Sequence, residues 1–127
     1  MNILGITHPI SYSTGACLLV DGNLIAMAEE ERFNRIKFSP RMFPYHSMDY
    51  CLKKGSISIN EVDCVAVGFD HVYNTVVRNL RGQPFYYGIL SAGYMLVFNS
   101  FNLLKIPPEI RQKKPIFINH HVSHANS

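Results

Sequence analysis

Three short apolar runs, separated by polar turns, occupy the first thirty residues of the chain. They cover residues 2–7, 14–20 and 24–28, and each has the length and the aliphatic content typical of a strand. Asp21-Gly22, which stands between the second and the third run, favours a two-residue hairpin. The pattern therefore predicts an antiparallel β-meander at the start of the chain.

Helical spacing replaces the strand pattern after residue 44. Tyr45, Met48 and Leu52 recur at intervals of three and four, which predicts a helix over 44–54. Gly55, directly after this segment, is expected to be the C-cap.

Two later apolar runs predict further strands, so the fold class is expected to be α/β with a mixed sheet. The run at 64–69 is nearly continuous, as in a strand buried on both faces. A short helix through Arg111 is expected to precede a last strand over 115–119.

Residues 82–104 carry no charged side chain, which raises the question of a membrane span. Gln83, Asn99 and Asn102 would be unfavourable in hydrocarbon and argue against one. The segment 82–106 is better explained as an apolar helical insertion that is buried or covers a partner surface.

Composition narrows the class of protein. The 127 residues suit one domain, and the charged fraction of 17% is low, which predicts that some surface is buried against more protein. The net charge of +3 is too small to indicate nucleic acid. Three widely spaced cysteines and the lack of a signal-peptide pattern predict reduced thiols in a cytoplasmic protein.

Three histidines in five residues follow the last predicted strand. His120 and His124 would lie one turn apart on the same face of a helix, and neutral imidazole is a common ligand of divalent transition metals. The lack of a Glu after the first histidine makes a zinc-protease site a poor interpretation. The alternative is a histidine that satisfies a hydrogen bond after a buried strand.

Basic residues follow the third predicted strand at Arg32, Arg35 and Lys37, and these side chains could contact phosphate. The alternative is a solvated loop with weak, exposed ion pairs. The loop 8–13 is rich in hydroxyl groups and could hold an anion or simply cap its own turn.

Taken in order, these segments resemble the N-terminal part of the carbamoyltransferase family of nodulation-factor and antibiotic biosynthesis. The most specific matches are E-E-E-R-F-N-R-I-K at 29–37 and N-H-H-V-S-H-A at 119–125. Weaker matches lie at 3–6, 15–22, 43–44, 50–52 and 62–67.

The resemblance implies a partial actin/sugar-kinase-like (ribonuclease H-like) ATPase fold. It also implies ATP-dependent carbamoyl transfer from carbamoyl phosphate to the hydroxyl of a small molecule, through carbamoyl adenylate. Residues 1–127 would be the N-terminal portion of the ATPase-like domain, inactive alone, with a C-terminal half or a second copy needed to complete it. Neither nucleic acid nor membrane is expected as a partner.

The resemblance also implies roles for single residues. His120 and His124 would hold a divalent metal such as Fe(II), which a downstream Asp would complete. Arg32 and Arg35 would contact the nucleotide, and Lys37 the substrate or phosphate. His8 would be catalytic.

Two departures from the family pattern concern this site. Pro9 stands where many members have an acidic residue after the first-loop histidine, and Phe38 stands where many have a histidine. The first departure makes the role of His8 less certain. Two alternatives remain open, namely a subunit of the tRNA-threonylcarbamoylation type and a non-catalytic remnant that binds a nucleotide or a partner. Because a truncated sheet should expose apolar surface, the isolated chain is expected to aggregate.

Overall fold

The structure, a computed structural model, describes residues 1–8, 11–68 and 106–118. Its five strands are β1 (Asn2–Ile6), β2 (Gly15–Val20), β3 (Asn23–Glu29), β4 (Cys64–Val67) and β5 (Ile116–Phe117). Its helices are α1 (Glu31–Asn34), α2 (Tyr45–Gly55) and α3 (Pro108–Gln112), with a 3₁₀ turn at Ile59–Glu61.

The strands form one mixed sheet in the order β3-β2-β1-β4-β5. β1, β2 and β3 are antiparallel, with Gly5 opposite Cys17 and Cys17 opposite Met27. β4 and β5 continue the sheet on the other side of β1, parallel to it. The predicted meander and the mixed α/β class are confirmed, whereas the actin/sugar-kinase-like fold stays a prediction.

The predicted hairpin at Asp21-Gly22 is also confirmed. Both residues have positive φ, 49° and 84°, as a two-residue turn that matches the strand twist requires. A bulge lies in the same hairpin between Leu18 and Leu19, where the β2–β3 register shifts.

One face of the sheet carries the core. Leu4, Leu18 and Val65 are fully buried there, and α2 packs over β2 and β3. Ile110 of α3 and Ile106, which precedes this helix, belong to the same cluster. The period-2 alternation of each strand places its other side chains on the opposite face.

The end of α2 differs from the prediction. Gly55 is the last helical residue, and the C-cap is Ser56, whose φ of 53° is left-handed and whose N–H donates to the carbonyl of Leu52. A Cβ on Gly55 would collide with the side chain of Leu18. The glycine is therefore needed for close packing of the helix end on the sheet.

The strand over 64–69 is shorter than predicted, and its burial is uneven. β4 ends at Val67, and its Val65 and Val67 are buried while Cys64 and Ala66 are half-buried. Most of the predicted 82–106 insertion lies outside the described residues. In the described ranges, no helix is long and apolar enough to cross a membrane.

Candidate functional site

Loops from several strands meet at one edge of the sheet. Because β1, β4 and β5 are parallel, their carboxyl ends share this edge with the start of β2 and the end of β3. His8 follows β1, Thr14 precedes β2 and Glu30 follows β3. Strand ends of this kind are where open α/β sheets build their sites.

Glu30, which follows the outermost strand β3, is buried at this edge, with 2% of its surface exposed. One carboxylate oxygen accepts hydrogen bonds from the N–H and Oγ–H of Ser47, at 2.9 and 2.8 Å. The other accepts from the N–H of His46 at 3.1 Å and contacts His46 Nδ1 at 2.6 Å. Glu30 thus supplies the N-terminal cap of α2 from a distant part of the chain.

The hydrogen bonds outweigh burial in setting the charge of Glu30. Burial of the carboxylate raises its pKa, but the bonds from Ser47 and His46 stabilise the ionised form, and the net pKa lies below the ordinary value. The carboxylate is therefore ionised at neutral pH.

The segment that carries the basic residues begins with α1, which is a single helical turn. The sequence alone also allows a solvated loop in place of this turn. Arg35 caps this turn in a left-handed conformation with φ of 62°. Glu31 accepts a hydrogen bond from the N–H of Phe38 at 2.5 Å, which closes the loop that follows. Thr14 holds the loop to the sheet, since its Oγ1 donates to the carbonyl of Ser39 at 2.6 Å.

This folding brings the three predicted phosphate contacts together. Arg32, Arg35 and Lys37 line one depression of about 560 Å³, which they share with Glu31. All three basic side chains are exposed. The depression thus carries three formal positive charges and one negative charge, an arrangement suited to a multiply charged anion.

Left-handed backbone is concentrated around this depression. Arg35, Phe38, Ser39 and Arg41 all have φ between 44° and 62°. Such conformations are unfavourable for residues other than glycine and are kept only where the surroundings enforce them. The hydrogen bonds of Glu31 and Thr14 described above provide that enforcement.

His8 lies at the same edge but outside the basic depression. Its side chain is buried, with 4% exposed, and its ring lies 6.1 Å from that of Phe117 on β5. The loop that follows reaches the basic segment, since the N–H of Arg41 donates to the carbonyl of Ser11. The catalytic role predicted for His8 remains a prediction.

The predicted metal ligands His120 and His124 lie outside the described residues. β5, which precedes them in sequence, ends beside β4 at the edge that also holds His8. Within the described ranges, no group of three His, Cys, Asp or Glu side chains is placed to hold a metal ion.

A second cavity lies over the sheet face opposite α2. This open groove has a volume of about 550 Å³, and strand residues such as Ile3, Cys17 and Met27 line it. Gly5 lies beneath Cys17, where an added Cβ would come within 2.6 Å of the sulfur. The groove is almost wholly apolar, so it is unsuited to phosphate.

Sequence reasoning missed the Glu30, His46 and Ser47 cluster. The three acidic residues at 29–31 looked equivalent, yet only the middle one is buried. Strand alternation cannot identify it, because Glu30 follows the end of β3. The available clue was the start of α2, which has no acidic residue in its first turn and no side-chain cap of its own.

The chain is similar to several known proteins. The chain is 30% identical over 126 residues, 98% of its length, to nodulation protein NolNO of Sinorhizobium fredii. It is 32% identical over 81 residues to an uncharacterised 19.2 kDa protein encoded in the syrM 5′ region of Rhizobium etli. It is 31% identical over 140 aligned positions to the uncharacterised protein sll1178 of Synechocystis.

The chain covers only part of each relative. It spans 18% of NolNO, 47% of the Rhizobium protein and 22% of sll1178, and it aligns over 98%, 63% and 99% of its own length respectively. No family model matches the sequence.

Proposed function

We propose that this chain is the N-terminal portion of a carbamoyltransferase. The reaction is transfer of a carbamoyl group from carbamoyl phosphate to the hydroxyl of a small molecule, driven by ATP through carbamoyl adenylate. The observation that carries the proposal is the alignment of 98% of the chain with nodulation protein NolNO. It agrees with the resemblance of the 29–37 motif to the carbamoyltransferase family.

The basic depression supports an anionic donor. Arg32 and Arg35 offer planar guanidinium groups that match phosphate oxygens in pairs, and Lys37 adds a compact charge. Glu31 opposes them with one negative charge, but its carboxylate is already hydrogen-bonded to Phe38. Such cations favour the phosphate of the donor and the negative charge that develops on it during transfer.

The depression is kept in shape by groups that do not face it. Thr14 ties the following loop to the sheet edge, and Glu30 attaches the start of α2 nearby. The backbone around the depression is therefore held in place, while its basic side chains remain exposed.

The donor set at the end of the chain fits the implied metal. Two imidazoles four residues apart suit Fe(II) and other borderline divalent ions. His120 and His124 would hold the metal, which would supply positive charge opposite nucleotide phosphates. Arg32 and Arg35 would then neutralise phosphate oxygens from the side of the protein.

The proposal is tested with the protein in its full natural length. Carbamoyl phosphate labelled with ¹⁴C, ATP and a panel of hydroxyl-bearing acceptors should give a labelled carbamate ester, with AMP formed in step. The Arg32→Gln/Arg35→Gln double variant should lower kcat/KM for ATP by about 100-fold, since each lost charged contact removes roughly 1.5 kcal/mol.

Lys53→Gln is the matched control, because Lys53 is an exposed lysine on α2 that pairs with Asp49. It should leave the reaction unchanged. If no acceptor in the panel is carbamoylated and no AMP forms, the proposed function is wrong.

The groove favours a second candidate function, a partner-binding remnant without catalysis. An open apolar face of this kind is typical of surfaces that are covered by another protein. Normal binding of a partner by a full-length protein that forms no carbamate ester would favour this candidate.

A further inference from the structure

One of the basic side chains that line the depression contacts an aromatic ring. Lys37 places its Nζ 5.2 Å from the centroid of the Phe38 ring. Among the residues that the structure describes, no carboxylate forms an ion pair with Lys37. Lys37 also lies beyond α1, which ends at Asn34 with Arg35 as its cap, so the helical turn does not fix its position. In the described part of the chain, the contact with Phe38 is therefore what restrains this ammonium.

The backbone of Phe38 is fixed from both sides. Its N–H donates to the carboxylate of Glu31 at 2.5 Å, and its carbonyl accepts a hydrogen bond from the N–H of Thr14 at 3.0 Å. Its φ of 60° is left-handed, which is rare for a bulky residue and is kept only where the surroundings enforce it. These two hydrogen bonds set the direction in which the ring leaves the loop.

A second ring supports that of Phe38. The centroid of the Tyr12 ring lies 5.3 Å from it, with the planes inclined by 42°, a tilted contact that aromatic pairs favour. The loop of Tyr12 is tied to the basic segment, because the carbonyl of Ser11 accepts from the N–H of Arg41. Both rings remain exposed, with 75% of Tyr12 and 41% of Phe38 accessible. The pair is therefore not part of the core, and core packing does not explain why a strained loop presents it.

An aromatic ring restrains an ammonium without neutralising it. The negative face of the ring attracts the cation, which favours the contact by about two- to fivefold at exposed sites. A carboxylate in the same place would bring a full negative charge into the depression and would oppose a phosphate group. Because an ammonium has several N–H donors, one that contacts a ring can still donate to phosphate oxygens. The ring thus leaves the positive charge of Lys37 available to an anion.

We infer that Phe38 is a positioning residue that holds the ammonium of Lys37 toward the phosphate group of a substrate, an inference that rests on the proposed carbamoyl transfer. Either ATP or carbamoyl phosphate supplies such a group. Arg32 and Arg35 are placed by α1 and its cap, whereas Lys37 is placed by the ring. Tyr12 acts one step further away, since it limits the movement of the Phe38 ring.

A double-mutant cycle in the full-length protein tests whether Phe38 acts through Lys37. Phe38→Leu should lower kcat/KM by about two- to fivefold for the substrate whose phosphate Lys37 binds, either ATP or carbamoyl phosphate, and KM should change more than kcat. Phe38→Tyr keeps a ring and should retain the natural values. In the Lys37→Gln background, Phe38→Leu should have no further effect, whereas a general collapse of the depression would lower kcat/KM there as well.

Nuclear magnetic resonance of the same protein supplies a readout that is independent of catalysis. Lysines that carry ¹³C-dimethyl groups keep their charge, and the Phe38 ring should shift the Lys37 signal upfield of exposed lysines. This shift should be lost in Phe38→Leu. ATP or carbamoyl phosphate, each added alone, should move the Lys37 signal, and the one that does so identifies the source of the phosphate.

Lys54 is the internal control in that experiment. Its Nζ lies 5.7 Å from the ring centroid of Tyr50, and both residues belong to α2 and lie outside the set that lines the depression. Its signal should also be shifted by a ring, but it should not respond to ATP or to carbamoyl phosphate.

Three results would overturn the inference. They are a loss of kcat/KM on Phe38→Leu that is equal with and without Lys37, natural kinetics in Phe38→Leu, and a Lys37 signal that coincides with those of exposed lysines in the natural protein. The last result needs no variant to fold. Any of them in a protein that forms the carbamate ester would reject the role of Phe38 and leave the proposed function intact. Absence of the ester in the natural protein would reject both.

Discussion

The two faces of the sheet are built from alternate residues of the same strands, yet they meet different surroundings. Leu4, Leu18 and Val65 are fully buried beneath α2 and α3, whereas Met27 keeps 71% of its surface exposed on the face that borders the groove. Alternation divides the side chains between the faces, but the helices decide which face contributes stability. Apolar content alone therefore does not identify the core of this chain.

The largest difference in stability between the two faces is expected when one side chain on each face is truncated to alanine. Leu18→Ala opens a cavity under α2 and should lower the free energy of unfolding by about 3 kcal/mol. Met27→Ala should change it by less than about 0.5 kcal/mol, because Met27 is mostly exposed. Urea unfolding followed by circular dichroism measures both. Equal losses would mean that the groove face is packed as tightly as the core.

Removal of the carboxylate that caps α2 should have the next largest effect on the free energy of unfolding. Glu30→Ala leaves the N–H groups of His46 and Ser47 without their acceptor and should cost about 2–3 kcal/mol. Glu29→Ala, an exposed neighbour, is the control and should have little effect. Chemical denaturation of the two variants at pH 7 gives the comparison.

The contribution of Glu30 should disappear in acid. Its pKa in the folded chain is below the ordinary value of 4.5, so its stabilisation is complete above that value and is lost as the pH falls through the folded pKa. The stability difference between the natural chain and Glu30→Ala should therefore shrink below about pH 4.5. A difference that stays constant down to pH 2 would contradict this account of the cap.

The two faces of the sheet should also differ in thiol reactivity, which can be compared at Cys51 and Cys17. Burial raises the pKa of Cys51 to about 11, so at pH 8 its thiolate fraction is about 100-fold lower than at a pKa of 9. Burial also raises the pKa of Cys17, but that side chain is only half-buried beside the groove. Iodoacetamide labelling followed by mass spectrometry should modify Cys17 before Cys51. The reverse order would contradict the assignment of Cys51 to the core.

Substitutions on the groove side of the sheet are expected to have the smallest effect on stability. They should nevertheless have a measurable effect on association. Ile25→Ser/Met27→Ser should leave the unfolding free energy nearly unchanged and reduce aggregation of the 127-residue chain, because it removes exposed apolar surface from an edge strand. Light scattering at increasing concentration measures this. A natural chain that remains monomeric at high concentration would show that the exposed face does not drive association.

The meander, the main helix and the order of the later elements could be predicted from the sequence, because each depends on local spacing. Asp21-Gly22 determines its hairpin by itself, and Tyr45, Met48 and Leu52 mark one side of α2. The parallel pairing of β1 with β4 depends on contacts some sixty residues apart, as between Ile3 and Cys64. No short pattern carries that information.

Only part of the candidate site could be predicted from the sequence, because only some of its contacts are local. Arg32, Arg35 and Lys37 are close in sequence, so a single turn and its cap are enough to bring them to one depression. Glu30 and His46 are sixteen residues apart, and their bond depends on how α2 sits against the end of β3. Long-range placement of this kind could not be predicted from the sequence.

The central position of β1 also has a consequence during synthesis. Translation proceeds at about 5–20 residues per second, and β2 and β3 can pair with each other and with β1 as soon as they leave the ribosome. β4 begins at Cys64, 44 residues after β2 ends at Val20. One edge of β1 therefore stays open for roughly 2–9 seconds, an interval in which its unpaired backbone groups are exposed to strands of other chains.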